Sequence, residues 1–334
     1  MINTNSDPRI DMEEVERVRA ELAKTDKKSP TTPAVSLLDP LYTRIATKQM
    51  PKLFKLGNAL DGLEVGYGLV CTAGGPPGGG KTTLAMQVMA EALEYQHNLR
   101  AVVANRETPM EVLLQREIAR RSGVPSRAIR FGDCTDRQLE KIRVAVKEMR
   151  PLLSRVSSLD EPGELPMLRR LLNEEPGLLI LDYIQKFAPS GEVKAGVTEA
   201  MTTARQFARA GWAVIALSAT ARTQTKGKSS QDSQQLNLAS FRDSSEIEYQ
   251  SDAAYLIRDM EKQGSTATTR QTLIECVKNR HGEKTSKLLA FNMPKSCFEL
   301  RENDSEYADD FTSFNQGEID YSDVPNPFDD KDGY

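Results

Sequence analysis

The sequence predicts an α/β fold in which a mostly parallel sheet is flanked by helices. Several segments are apolar throughout, which is typical of strands buried on both faces of a sheet. Amphipathic segments with helical spacing alternate with them, and such alternation favours parallel strands joined by helices. The expected strands lie at 68–73, 100–104, 178–182 and 212–217, and the expected helices at 81–95, 109–121 and 196–210.

Three later segments, at 253–257, 271–278 and 285–291, have a different pattern. Apolar and polar residues alternate more regularly in them, as in antiparallel strands with one buried face. We therefore expect antiparallel strands that extend the sheet at one edge.

The 334 residues are expected to form one main domain with an extension at each end. Residues 1–50 are the N-terminal extension, in which 12–24 has the apolar spacing of a docking helix and 25–36 has the Pro, Ser, Thr and Lys content of a linker. Residues 51–300 are the core domain. Residues 301–334 contain too few apolar side chains to pack, so we expect an acidic disordered tail.

Charge is unevenly distributed along the chain. The formal net charge is −4, and residues 301–334 contribute eleven acidic side chains against Arg301 and Lys331, a net −9. Residues 1–300 therefore carry +5, because −4 minus −9 is +5. The expected core is mildly basic and the tail strongly acidic.

The four cysteines lack the spacing of a zinc site or a disulfide framework. A reduced, cytoplasmic protein fits this usage. No uninterrupted apolar run approaches the ~20 residues of a membrane span, so we expect no membrane association.

The strongest functional signal is the glycine-rich segment 75–82, GPPGGGKT, which follows a predicted strand and opens a predicted helix. Its glycines allow the backbone to curl with several N–H groups pointing inward, and the helix N-terminus adds a positive dipole. Such a loop is typical of sites that bind the phosphates of ATP. The expected nucleotide-binding residues are Gly75, Gly78, Gly79, Gly80, Lys81, Thr82 and Thr83.

Within this site Lys81 is expected to reach the β- and γ-phosphates, and the Thr82 hydroxyl to ligate Mg²⁺. Segment 178–182 is an apolar strand that ends in an acid, which predicts Asp182 as a second Mg²⁺ ligand. Glu107 follows strand 100–104, at the edge where open α/β sheets gather their active-site residues. Glu107 can polarise an attacking water or cap the next helix, and the residues alone leave both roles open.

Two basic segments lie outside these motifs. Lys226 and Lys228 belong to a long polar run, in which they can touch an anionic polymer or simply face solvent. Lys278 and Arg280 lie between two predicted strands, and a tight turn there would project them outward. They can then reach the γ-phosphate of a neighbouring subunit's nucleotide, or face solvent as most basic turns do.

Taken in order, these motifs resemble the C-terminal ATPase domain of DnaB-type replicative helicases, within the RecA-like superfamily of P-loop proteins. NRETPM, from Asn105, is similar to the family's S-L-E-M segment, and LDYIQ, from Leu181, to its I-D-Y-L-Q. KNRHG, from Lys278, matches K-N-R-x-G. The resemblance spans about residues 50–295. It implies that Glu107 is the catalytic base and that Lys278 and Arg280 act on the adjacent subunit's nucleotide.

Segment 240–252 looks like the family loop that holds single-stranded DNA in a central channel. The resemblance implies DNA contacts by Arg242, Asp243 and Ser245, where the family has Arg, Glu and Gly. Ser245 thus departs from the family pattern. So does Ala219, which stands where the family has a glutamine that helps to sense nucleotide and DNA.

The resemblance implies an ATP-dependent replicative helicase or translocase that moves on single-stranded DNA as a ring, expected to be a hexamer, with ATP and Mg²⁺ bound between subunits. The short N-terminal extension favours a minimal form without the primase-binding domain, encoded by a bacterium, a phage or a mobile element. Two alternatives stay open. One is a RadA- or RecA-like recombination ATPase, which shares the K-N-R-x-G run. The other is a nucleotide-switched replication accessory or loader ATPase without unwinding activity, which Ala219 favours.

The tail segment 321–330 combines acidic residues with a Pro-Phe element. It resembles the acidic tips by which single-strand binding proteins recruit partners. The tail can therefore recruit replication proteins, fold back over a basic channel as a DNA mimic, or serve only to keep the protein soluble.

Overall fold

In a computed structural model of the chain, the structure describes residues 33–50, 53–159, 165–187, 193–220, 244–260 and 268–301. The chain divides into two compact units, Met1–Met50 and Pro51–Tyr334. Several predicted features lie outside the described residues: helix 12–24, the polar run with Lys226 and Lys228, Arg242, Asp243 and the acidic tail after Arg301. No helix among the described residues is long and apolar enough to cross a lipid bilayer.

The described part of the first unit contains a short 3₁₀ turn, Ala34–Leu37, followed by helix α1, Leu38–Ala46. The sequence pattern does not predict α1, since the helix is short and carries Pro40 in its first turn, where proline is tolerated. Its large apolar side chains, including Tyr42 and Ile45, are exposed.

The second unit is built on a nine-stranded sheet of described residues with the order β3-β2-β4-β5-β1-β6-β7-β8-β9. The strands are β1 (Val70–Gly75), β2 (Ala101–Asn105), β3 (Val156–Leu159), β4 (Leu178–Asp182), β5 (Ala213–Ala219), β6 (Ala253–Asp259), β7 (Thr269–Asn279), β8 (Lys287–Asn292) and β9 (Cys297–Glu299).

Strands β1 to β6 pair with one another in parallel, and β7, β8 and β9 continue the sheet in antiparallel pairs. This confirms the predicted fold class. The prediction for segment 253–257 was wrong in one respect, because β6 is parallel to β1 on one side and antiparallel only to β7 on the other. Six of its seven residues are buried, so β6 belongs to the core of the sheet.

Seven further helices surround the sheet among the described residues. They are α2 (Lys81–Tyr95), α3 (Met110–Ser122), α4 (Ser126–Phe131), α5 (Asp136–Leu153), α6 (Leu165–Arg170), α7 (Val193–Arg209) and α8 (Ser244–Gln250). The predicted helices correspond to α2, α3 and α7. The sequence pattern does not predict α4, α5 or α6: α4 and α6 have only six residues each, and α5 buries only Ala145 and Met149.

Apolar side chains cover both faces of the sheet. Along β4, Leu178 and Ile180 join the cluster that includes α2, whereas Leu179 and Leu181 join the cluster that includes α7. This alternation follows from the two-residue period of a strand. With both faces covered, the carboxyl ends of β1, β2, β4 and β5 remain as the open edge where loops can form a site.

Candidate nucleotide-binding site

The glycine-rich loop joins the end of β1 to the start of α2. Gly78 and Gly80 have φ angles of 74° and 93°, in the left-handed region that favours glycine. A Cβ atom on Gly80 would lie 2.8 Å from Cζ of Phe298, in β9. Gly75 and Gly79 are also closely packed, since a Cβ atom on either would meet a carbonyl oxygen at 3.1 Å. The loop therefore requires glycine for conformation at some positions and for space at others.

The loop ends at the N-terminus of α2, a helix of 15 residues. Gly80 is the N-cap, and no side chain among the described residues caps the helix there. The first N–H groups of a helix have no partner within the helix, and the helix dipole makes this end positive. Loop and helix together form a typical anion-binding site.

Lys81 extends back along the loop. Its Nζ atom donates hydrogen bonds to the carbonyl oxygens of Gly75 at 2.8 Å and Pro76 at 2.9 Å. Burial lowers the pKa of Lys81, although the nearby Asp182 and Glu107 carboxylates act in the opposite direction. The ammonium group thus lies inside the curve of the loop, in the electrostatic range of two acids.

Thr82 and Asp182 are joined directly, because the Thr82 hydroxyl donates a hydrogen bond of 2.8 Å to Oδ2 of Asp182. Asp182 is 2% exposed. Burial raises the pKa of Asp182; Glu107 raises it further, whereas the Thr82 hydrogen bond and the Lys81 charge lower it. The next residue of α2, Thr83, lines a small cavity with Thr82 and Arg116.

A hydroxyl and a carboxylate side by side are hard oxygen ligands of the kind that Mg²⁺ prefers. No group of three or more His, Cys, Asp or Glu side chains in the described part of the chain can hold a metal ion. Mg²⁺ usually takes one or two protein ligands and completes its shell with water and phosphate oxygens. Thr82 and Asp182 therefore fit a nucleotide-bound Mg²⁺.

Glu107 lies just beyond β2 and is exposed. The buried Asn105 holds its backbone: Oδ1 of Asn105 accepts hydrogen bonds from the N–H groups of Glu107 at 3.0 Å and Thr108 at 3.2 Å. Asn105 is also the register partner of Asp182 across β2 and β4. The structure therefore brings Lys81, Thr82, Asp182 and Glu107 to one edge of the sheet. The role of Asn105 was not predicted, although a strand-final asparagine is a known turn signal.

Gln185 links the segment after β4 to the end of β5. Its side-chain amide donates to the hydroxyl of Ser218 at 2.9 Å and accepts from the N–H of Ala219 at 3.2 Å. The main chain at Ala219, where the expected glutamine is absent, is thus held by a glutamine from the short 3₁₀ helix that follows the neighbouring strand β4. No sequence signal indicates this contact, because the two residues are 34 positions apart.

Arg280 and Lys278 are turned toward their own chain. Nη1 of Arg280 lies 3.0 Å from Oδ1 of Asp252, and Nη2 donates to the carbonyl of Tyr249 at 2.8 Å. The Lys278 ammonium group donates to the carbonyl of Glu248. The expectation of a tight turn was wrong, because seven residues, 280–286, join β7 to β8. Arg280 is exposed, but both side chains contact their own chain and do not project freely into solvent.

Asp252 explains this inward orientation. It is 3% exposed, and a buried carboxylate needs compensating partners. The N–H of Val70 donates to it at 2.8 Å, and Arg205 of α7 lies 2.9 Å away. Burial raises the pKa of Asp252, but the bonds from Arg205 and Val70 and the charge of Arg280 outweigh it and leave the pKa lowered. Arg280, whose side chain is 43% exposed, is the outer partner of this pair of arginines.

The described part of the chain contains only one of the three predicted DNA-binding residues and so does not test them as a group. Arg242 and Asp243 lie outside it, and Ser245 lies in the first turn of α8.

Comparisons with known proteins show the family and the fold of the chain. Residues 51–300 match the model of the DnaB-like helicase C terminal domain. The ATPase domain of G40P has a TM-score of 0.57 at 17% identity, over 89% of this chain and 100% of that chain. A DnaB-like replicative helicase, described with its interactions with primase, has a TM-score of 0.61 at 16% identity, over 87% of this chain and 72% of that chain. No curated protein sequence gives a significant match.

At these identities the solved structures show a shared fold and no more. The family model, in contrast, covers most of the chain. The chain therefore belongs to the family of DnaB-like helicase C-terminal domains.

Proposed function

We propose that the protein is an ATP-driven helicase or translocase that moves on single-stranded DNA as a ring, a hexamer by family analogy, with ATP bound between subunits. The observation that carries this proposal is the Thr82–Asp182 hydrogen bond of 2.8 Å, next to Lys81 in the glycine-rich loop. Family membership supports the helicase class. In this proposal residues 51–300 are the ATPase body, 1–50 an extension that docks on a neighbour, and 301–334 a tail that contacts replication proteins.

The loop would bind the triphosphate of ATP. Backbone N–H groups of Gly78 and Gly80 and of the first turn of α2, including Thr83, would face phosphate oxygens, while Gly75 would let the loop leave β1. The N–H of Gly79, which donates to the carbonyl of Pro76 at 3.0 Å, would turn to a phosphate oxygen when ATP binds. Lys81 would exchange its two carbonyl partners for the β- and γ-phosphates. Its position supports this role, because the ammonium group already contacts the loop that would surround the phosphates.

Thr82 and Asp182 would hold Mg²⁺. When bound, Mg²⁺ neutralises charge on the β- and γ-phosphates. Burial raises the pKa of Asp182 because it disfavours the charged carboxylate. A cation such as Mg²⁺ would stabilise that charged form.

Glu107 would orient the attacking water and accept its proton. Its carboxylate is exposed at the edge of the sheet, where a water can reach it, and Asn105 fixes the backbone beneath it. A general base needs this combination of access and position.

Arg280 and Lys278 would act on the nucleotide of an adjacent subunit. In the described structure Arg280 contacts Asp252 and Tyr249, with no hydrogen bond to the loop of its own chain. A role in trans is consistent with this location, and arginine fingers supplied in trans are common in this chemistry.

Arg242, Asp243 and Ser245 would hold the backbone of single-stranded DNA. The net +5 of residues 1–300 supports an anionic partner. Backbone contacts imply little sequence preference and an affinity that falls steeply with salt.

Unwinding of a forked DNA duplex tests the proposal. The wild type should open the fork with ATP and Mg²⁺, whereas Lys81→Ala and Glu107→Gln should not. Binding of a fluorescent ATP analogue to Glu107→Gln serves as the control for folding. If the wild type hydrolyses ATP but opens no fork at any protein concentration, the helicase proposal is wrong.

A second candidate is a nucleotide-switched accessory or loader ATPase. Ala219, whose N–H is already bound by Gln185, favours it because no side chain there can report nucleotide state to the DNA segment. Hydrolysis without unwinding would support this candidate.

A further inference from the structure

A cavity of about 240 Å³ lies between α3 and α4, apart from the glycine-rich loop. Three arginines line it, Arg116, Arg127 and Arg130, and no acidic residue does. Phe131 also lines it and is 70% exposed. The cavity is therefore strongly basic and has an aromatic side chain at its surface.

The arginines in this cavity differ from their neighbours on α3. Arg120 and Arg121 are paired at short distance with Glu117. Arg116, Arg127 and Arg130, in contrast, have no carboxylate within ion-pair distance among the residues that the structure describes. The charge of Arg116 does act on Asp182, which lies near it, but none of the three arginines forms an ion pair among the described residues. Three such guanidinium groups around one cavity favour an anionic ligand, because carboxylates and phosphates accept two parallel hydrogen bonds from each.

The turn that precedes β9 lies beside this cavity, and the acidic tail follows β9 in the chain. The N–H of Ser126, the first residue of α4, donates to the carbonyl of Pro294 at 2.8 Å, just before β9. Ser296, in the same turn, lines a smaller cavity together with Arg116. Residue 302, the first beyond the described part of the chain, follows Ser296 by six positions, a span of at most about 20 Å.

The first ten tail residues carry the highest charge density. Segment 302–311, ENDSEYADDF, has five carboxylates, no basic residue and two aromatic rings. Its negative charge is complementary to the positive charge of the cavity. Its aromatic rings can pack against Phe131. Exposed ion pairs are individually weak, but a tethered segment binds at high effective concentration, so several weak pairs suffice.

We propose that segment 302–311 docks in the Arg116–Arg127–Arg130 cavity of its own chain, with its carboxylates on the guanidinium groups and Tyr307 or Phe311 against Phe131. The tail would thus occupy an anion site next to the nucleotide-binding helix and exclude other polyanions from it. This inference goes beyond the proposed helicase activity and does not depend on it.

Arginine modification tests the docking in the full chain. Phenylglyoxal reacts with free guanidinium groups, and mass spectrometry gives the rate at each site. Arg127 and Arg130 should react several-fold more slowly than Arg209, an exposed arginine of α7 on the other face of the sheet. Neutralising all five carboxylates of segment 302–311, as in Glu302→Gln and Asp304→Asn, should remove this protection.

The matched control neutralises the five carboxylates at 318, 320, 323, 329 and 330 and should leave the protection intact. Equal reactivity of Arg130 in all three proteins would overturn the proposal. The proposal would also be wrong if the control variant lost the protection of Arg127 and Arg130 to the same extent. The tail would then act only through its total charge, and not through segment 302–311. Protection that disappears on dilution would point to the tail of a second copy and would also overturn docking in the same chain.

Discussion

Nη1 of Arg280 lies 3.0 Å from Oδ1 of Asp252 within the same chain. The arginine that we propose to act on a neighbour's nucleotide is therefore bound to its own subunit in this structure. Arg205 and the N–H of Val70 bind the other carboxylate oxygen, so Asp252 would keep two partners if Arg280 moved. Arg280 can therefore move away while the buried Asp252 carboxylate keeps its ion pair with Arg205.

Asp252→Asn should destabilise the fold. The change leaves Arg205, a largely buried arginine, without its counter-charge. Breaking a buried pair costs about 3–5 kcal/mol, and the hydrogen bonds that asparagine can still accept reduce this to about 2–3 kcal/mol. Chemical denaturation measures the difference. Glu140→Gln, which removes the fully exposed pair with Arg143, is the control and should change stability little.

The same carboxylate should make stability depend on acid pH. The pKa of Asp252 is lowered in the fold, so its contribution is complete above the ordinary aspartate pKa of about 3.9 and is lost as pH falls through the lower folded value. The stability gap between wild type and Asp252→Asn should thus be constant near neutral pH and shrink in acid. A gap that grows on acidification would contradict this assignment.

Thr82→Val should strongly reduce Mg²⁺-dependent ATP hydrolysis. Valine keeps the shape of threonine but removes the hydroxyl that contacts Asp182 at 2.8 Å. We expect a loss of about 10²–10³ in kcat, comparable to removal of one electrostatic contact in other enzymes. Thr82→Ser, which keeps the hydroxyl, should retain most activity. Equal losses in both variants would show that the methyl group, and not the hydroxyl, matters.

Gly80→Ala should destabilise the loop. Its Cβ atom would lie 2.8 Å from Phe298, and alanine disfavours a φ of 93°. We expect a loss of about 1–3 kcal/mol in thermal or chemical unfolding. Gly123 has a φ of 69° and open space around it, so Gly123→Ala changes only the backbone strain. This control should lose less free energy of unfolding than Gly80→Ala. If the two variants lose equal stability, the contact with Phe298 is unimportant.

The sequence predicted the features that depend on short segments. The glycine-rich loop, the strand that ends at Asp182 and the main helices are local patterns, and the structure places them as expected for a parallel sheet. The partners of Arg280 were not predicted, because Asp252 is 28 residues away in sequence and is itself held by Val70, 182 residues away.

The sequence pattern also did not predict two elements that bury few side chains. Helix α5 exposes most of its side chains, and β3 has only four residues, none of them fully buried. Their positions depend on packing against neighbours that a short window of sequence does not contain.

The claim that ATP is cut between two copies of the chain is tested most directly by mixing Glu107→Gln with Arg280→Ala. Each variant alone should hydrolyse ATP very slowly, since every interface lacks one group. In an equal mixture about a quarter of the interfaces should pair an intact Glu107 with an intact Arg280 of the neighbour, if subunits associate at random in a head-to-tail ring. We therefore expect the mixture to hydrolyse ATP at about a quarter of the wild-type rate, in proportion to its intact interfaces. A mixture as inactive as its components, or an Arg280→Ala protein with full activity at every dilution, would contradict a shared site.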